Sequence, residues 1–280
     1  MRVVLSRKGF DDSSGGCASP ILPDGTMLSL PIPGGRKDLK YEEIIYKGYS
    51  YKKIIEDLYN DSKHSFNKTN CHLDPDLICG LNPNADKSWG AAFGQVDSSQ
   101  THLNNQGITK EQIPDGVLFL FFGWFKPVSI SNKGFEYLKN ESGFQSIYGY
   151  MFVDRILSGD GIKKEFPWHP HSKDGYAANN SLYVAKKEIK INDKTIPGYG
   201  TFKYNEKLKL TKEGMSRSRW DYNKLPEGVK EGRIKLSYHP NACRDDYFQS
   251  AGRGQEFVFT ESETVTNWAL SLINDFEINL

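Results

Sequence analysis

The chain has 280 residues, 38% hydrophobic and 25% charged, which is enough apolar material to bury a sizeable core in one large domain or two smaller ones. Its 36 Lys and Arg against 35 Asp and Glu leave a net charge of +1, which excludes a global basic field for gathering nucleic acid or membrane. The longest apolar run, 116–125, is about half of the ~20 residues a membrane helix needs, and the first ten residues hold no signal core, so a cytoplasmic protein is expected.

Val3-Val4-Leu5 reads as a first buried strand, followed at once by the polar segment Lys8 to Gly16. Met27–Pro33 reads as an edge strand or turn, because Pro31 and Pro33 cannot donate to a central ladder. Tyr51, Ile54, Ile55 and Leu58 recur at helical spacing and predict a helix over 50–60 with Ser50 as its N-cap. Residues 61–70 are polar and read as a surface connection. Gly116–Phe125 is a continuous apolar run ended by Lys126-Pro127, which predicts a strand buried on both faces in mid-sheet. Further strands are expected within 146–157, 181–191, 196–210, 233–238 and 255–259. A last helix is expected over 260–276, opened by a Thr260-x-x-Glu263 capping box. These elements predict an α+β fold, a mixed β-rich sheet with peripheral helices in one domain over 1–280, divisible into an α/β part (1–112) and a β-rich part (113–280).

Four stretches carry candidate chemistry. After the first strand, Ser13, Ser14, Gly15 and Gly16 can aim backbone N–H groups at an anion, with Arg7 and Lys8 adding charge and Asp11 close by. The alternative is a turn capped by its own aspartate and serines. In 71–77, His72, Asp74 and Asp76 alternate, so an extended chain points all three to one side. That row suits a divalent metal or a carboxylate pair with one raised pKa, although Pro75 argues for a bend. His169 and His171 repeat the spacing of two, without further zinc ligands at a recognisable distance along the chain. Near the C-terminus, Arg217, Arg219 and Trp220 offer guanidinium forks beside a flat ring, a pairing suited to a nucleotide. His239, Arg253, Gln255 and Glu256 follow, with Glu256 expected at the mouth of a strand as a general base. Surface ion pairs and caps are the alternative for that cluster.

The motifs SRKGFDDSSGG, SPILPDG, LSLPIP, CHLDPDL, DGVLFLFFGWF, SRSRW and SYH…AGRGQEFVF, taken together over about 2–259, resemble the nucleotide modification associated domain 3 family. That family is found in phages and bacteria and was proposed, mainly from gene neighbourhoods, to act in DNA base modification. The resemblance implies candidacy for Asp11, Ser13, Gly15, His72, Asp74, Asp76, Arg217, Arg219, His239, Arg253, Gln255 and Glu256. Asp115-Gly116 departs from the Gly-Asp expected before the long apolar run. The order of the middle strands is also similar to PUA-like barrels, which receive flipped bases, and this implies a barrel element in the middle of the chain. The resulting expectation is an enzyme acting on a nucleotide or a DNA base, with catalytic groups among Asp11, Asp74, Asp76, His239 and Glu256. A non-catalytic reader of modified bases or sensor of a small nucleotide and a metal-dependent nuclease on His72, Asp74 and Asp76 are the rivals; the cofactor is left open, with a divalent metal admitted by those three residues.

Overall fold

The computed structural model describes residues 1–36, 38–59, 66–110, 116–191, 193–251, 255–275 and 278–279. Ten strands join in one mixed sheet: β1 (Arg2–Arg7), β2 (Ser19–Ile21), β3 (Ala92–Gln95), β4 (Val117–Ser131), β5 (Gly134–Tyr137), β6 (Phe144–Ser158), β7 (Ser181–Ala185), β8 (Tyr199–Phe202), β9 (Glu256–Val258) and β10 (Ile278–Asn279). The main path runs β9-β1-β4-β6-β7-β3, with β2 and β5 also on β4 and β8 on β6. The helices α1 (Tyr51–Tyr59), α2 (Asp97–Asn105), α3 (Asp160–Glu165) and α4 (Glu263–Asp275) are peripheral, so the fold is mixed α/β as expected.

The apolar run is central because both of its edges are occupied. β1 lies parallel to β4 from Arg2↔Val117 to Arg7↔Phe122, while β6 runs antiparallel on the other side. Phe119 and Phe121 are fully buried and meet Phe93 with ring centroids 5.0 and 5.4 Å away. Each such ring removed from water stabilises by roughly 1.5–3 kcal/mol. A second apolar cluster forms under α1, where Ile54, Ile55 and Leu58 face Phe10, Tyr41 and Phe135. Ser50 Oγ accepts the amide of Lys53 at 3.1 Å, the N-cap its position suggested.

Several boundaries differ from expectation, each for a local reason. β4 continues past Lys126-Pro127 to Ser131, because beyond Phe125 the strand becomes partly exposed and Pro127 needs only its carbonyl, which accepts the amide of Leu138 at 3.0 Å. Residues 27–33 form lone bridges, Ile21↔Met27 and Pro33↔Cys71, and no strand. Residues 233–238 make only the bridge Leu236↔Phe259, and Tyr238 ends the extension at φ +64°. Residues 181–191 divide into β7 and a short ribbon, Glu188–Ile191, paired with Lys194–Pro197. α4 is capped by Ser262, whose Oγ accepts from Val265 N at 3.2 Å; Thr260 Oγ1 instead accepts the amide of Lys235.

The expected PUA-like barrel element is absent: the sheet does not close. Its path ends at β9 on one side and β3 on the other, and the two fifteen-residue strands branch to additional partners instead of curling round. Among the described residues, no helix is long and apolar enough to cross a membrane.

Candidate functional site

β1 delivers the chain to the site. Its last pairing, Arg7↔Phe122, releases residues 8–18 as a loop before β2 rejoins β4 at Ser19↔Phe125. Within that loop Asp11 Oδ1 accepts from Ser13 N and Oγ, both at 2.8 Å, and from Ser14 N at 2.7 Å; Asp11 O accepts from Gly16 N at 2.7 Å. Gly15 holds φ +105° with the ring of Phe10 where a side chain would be. The amides expected to fan toward an anion are therefore turned inward on Asp11, the geometry of a self-capped turn.

Residues 71–77 do not form one row. Asp74 is buried, with 5% of its side chain exposed, and its Oδ1 accepts the amide of Gly94 at 2.7 Å. Asp76 faces elsewhere: its backbone pairs with Ala92 and its Oδ2 accepts from Trp89 Nε1 at 3.0 Å. Burial raises the Asp76 pKa to about 6, against the hydrogen bond from Trp89. The third partner of His72 and Asp74 is instead His171. Ligand-capable atoms of His72, Asp74 and His171 lie within 4.8 Å of one another, and His171 Nε2 is 3.9 Å from Asp74 Oδ2.

The histidines arrive on a tight 3-10 turn, Pro170–Ser172. His169 Nδ1 accepts the amide of His171 at 3.2 Å, which leaves the ring proton of the neutral tautomer on Nε2, fully buried and 3.4 Å from Asp74 Oδ1. His171 Nδ1 lies 2.6 Å from Asn180 Oδ1 and its ring stacks on Tyr176 at 4.8 Å. Asn180 Oδ1 can only accept, so His171 carries its proton on Nδ1 and presents a lone pair at Nε2. Burial opposes ionisation of Asp74, but the close approach of His169 Nε2 and the nearby imidazoles outweigh it, holding the carboxyl below the usual range. Asp74 is a carboxylate here.

His72, Asp74, His171 and Tyr176 line one wall of a cleft of about 330 Å³ that also takes in Arg7, Lys8, Asp11, Ser14, Gln255 and residues 95–99 at the start of α2. α2 starts without a side-chain cap. Lys8 and Gln95 reach behind the wall to Glu256: Lys8 Nζ and Gln95 Nε2 lie 3.0 and 2.6 Å from Glu256 Oε1. Glu256 opens β9 as expected, but it is 1% exposed and so sits beneath the cleft, not open to it. Its Oε2 is buried without a hydrogen bond among the described residues.

The other candidates are dispersed. Both nitrogens of His239 are engaged, Nδ1 with Ser237 O and Nε2 with Ala251 N, each at 2.8 Å, so its neutral ring ties two segments together. Trp220 is fully buried and donates from Nε1 to Gln145 Oε1 at 2.7 Å; it is core, with no face for a base. Arg217 pairs with Asp12 and stacks over Trp124 at 4.1 Å, beside the opening loop but outside the cleft. Arg219 packs over Tyr247. Arg253 and Asp115 lie outside the described residues. Sequence reading missed His171 as the partner of Asp74, together with Gln95 and Gly94. The signal was there in part, since the two histidine motifs share a spacing of two, but their meeting is set by the fold at Gly94, which binds Asp74 through its amide and abuts the His171 ring.

A family model described as nucleotide modification associated domain 3 matches residues 2–260. The chain belongs to that family. No curated protein and no solved structure matches it. The match spans every described cleft residue from Arg7 to Gln255, so the cleft is part of the nucleotide modification associated domain 3 region itself. The family's description ties the chain to nucleotide modification.

Proposed function

We propose that this cleft is an active site at which the protein modifies a nucleotide or a base in DNA. One observation carries the reading: segments around residues 7–14, 72–74, 94–99, 171–176 and 255 converge on one cavity with a buried, ionised carboxylate in its wall. About 330 Å³ falls within the ~300–1,000 Å³ of small-molecule pockets. Arg7 in the lining suits a phosphate, the amide of Gln255 suits a base edge, and the ring of Tyr176 offers a flat neighbour. A base in duplex DNA would have to be extruded to reach Asp74. Asp74 serves as the proton acceptor or ligand nearest the reacting group, and Glu256 acts indirectly, by holding Lys8 and Gln95 in place.

The test is to incubate the protein with nucleotides and with single- and double-stranded DNA, then follow substrate mass. Asp74→Asn is expected to stop conversion and leave binding within about threefold, whereas Arg7→Ala weakens binding. Binding without any conversion by the wild type would make the protein a reader, and no binding by either would remove the reading altogether.

A further inference from the structure

We infer that His72, Asp74 and His171 form a binding site for one divalent first-row transition-metal ion, open toward the cleft. The inference shares the cleft with the functional reading above but stands on geometry of its own.

Two imidazoles and a carboxylate make a mixed nitrogen and oxygen donor set, which favours Fe²⁺, Co²⁺, Mn²⁺ or Zn²⁺ over Mg²⁺ and Ca²⁺. Ligands sharing such an ion at about 2.1 Å stand roughly 3–3.5 Å apart. Asp74 Oδ2 and His171 Nε2 at 3.9 Å, in a group spanning 4.8 Å, need only a small closure.

The surroundings match what ligands require of their neighbours. Asn180 fixes the His171 tautomer that leaves Nε2 available. Asp38 Oδ2, anchored by the amide of Gly35 at 2.8 Å, lies 3.7 Å from His72 Nδ1 and orients that ring. Gly94 N and the buried His169 Nε2 address Asp74 Oδ1, leaving Oδ2 toward His171. Each of the three groups thus has a polar neighbour of its own besides the other two.

Charge gives an independent reason. The cleft is lined by Arg7 and Lys8 against Asp11, Asp74 and Asp97, and Lys8 is already paired with Glu256. Three carboxylates thus face two cations in that lining, so added positive charge is accommodated there. A divalent ion would reverse that balance and supply Lewis acidity toward a phosphoryl or carbonyl oxygen.

The experiment uses chelator-stripped full-length protein and Co²⁺ as the probe, read by its visible absorption and by calorimetry, with no nucleotide present. One Co²⁺ per chain is expected, displaced by Zn²⁺ and unaffected by excess Mg²⁺. His72→Gln, Asp74→Asn and His171→Gln should each weaken it by about tenfold or more, and His169→Gln by about tenfold through Asp74. Asp76→Asn should leave it unchanged. Because His72 is partly exposed, its variant is expected to fold, and circular dichroism checks each protein. Equal Co²⁺ binding by wild type and His72→Gln, or no binding by folded wild type, overturns the site. Nucleotide affinity of Arg7→Ala is measured separately, so loss of the metal site and loss of the nucleotide reading remain distinguishable.

Discussion

Gly94 lies so close to the imidazole of His171 that a Cβ at position 94 would fall 2.1 Å from His171 Cδ2. The same glycine donates its amide to Asp74, so one residue sets the height of both groups. Gly94→Ala should force the imidazole out of the wall, at about 1–3 kcal/mol of stability from overpacking. Urea unfolding together with Co²⁺ titration checks this, and wild-type values in both would mean that the contact does not fix His171.

Lys8 and Glu256 form a buried pair with 8% and 1% of their side chains exposed. Lys8→Met leaves the carboxylate without its cation and is expected to cost about 3–5 kcal/mol. Adding Glu256→Gln to the same chain should recover most of that loss. Denaturant midpoints of the two single variants and the double variant measure it, and additive losses would show that the two charges do not interact.

His239 supplies a pH dependence. Burial, aided by the charge of Arg7 and opposed by the hydrogen bond to Ser237, lowers its pKa below the ordinary 6.5. The unfolded chain therefore takes up this proton first as pH falls. The contribution to stability is fully present above about pH 6.5 and is lost as pH drops toward the folded-state value. Unfolding free energies from pH 7.5 to 5 should decline more steeply for wild type than for His239→Leu. Parallel curves would assign the decline to other groups.

Trp220 belongs to the core, packed against Phe122 and Phe248. Trp220→Ala should cost about 3–5 kcal/mol and strand Gln145 without its donor. At a temperature where the variant remains folded, its nucleotide affinity should match wild type. A selective loss of affinity would place the indole at the ligand after all.

Arg217 pairs with Asp12, whose side chain is 70% exposed. Arg217→Ala is expected to shift stability by no more than about 1 kcal/mol and to leave nucleotide binding nearly unaltered. A tenfold fall in affinity, like that sought for Arg7→Ala, would extend the site to the outer side of the loop.

The elements that local pattern controls were legible in the sequence. The run 117–125 has no polar residue to expose, so it lies in mid-sheet, and Ser50 before Tyr51 starts α1 because the amide of Lys53 needs an acceptor. The site was legible in its ingredients but not in its grouping. Alternation placed Asp76 beside Asp74, yet the pairing of Asp76 with Ala92 and the hydrogen bond from Trp89 turn it away. His171 reaches Asp74 from ninety-seven positions along the chain, as 171 less 74, which no local spacing encodes. Trp220 next to two arginines looks like a nucleotide clamp from sequence, and only the neighbouring strand pair with Phe248 reveals that the indole faces inward.

The stretch between β1 and β2 leaves and returns to the same neighbour, from Phe122 to Phe125 of β4, with both of its feet hydrogen-bonded in parallel. It is a tethered Ω excursion whose tip can lengthen, shorten or change composition without shifting the register of the sheet. A chain shortened at that tip should therefore keep the fold while losing the part of the cleft wall that Asp11 and Ser14 supply.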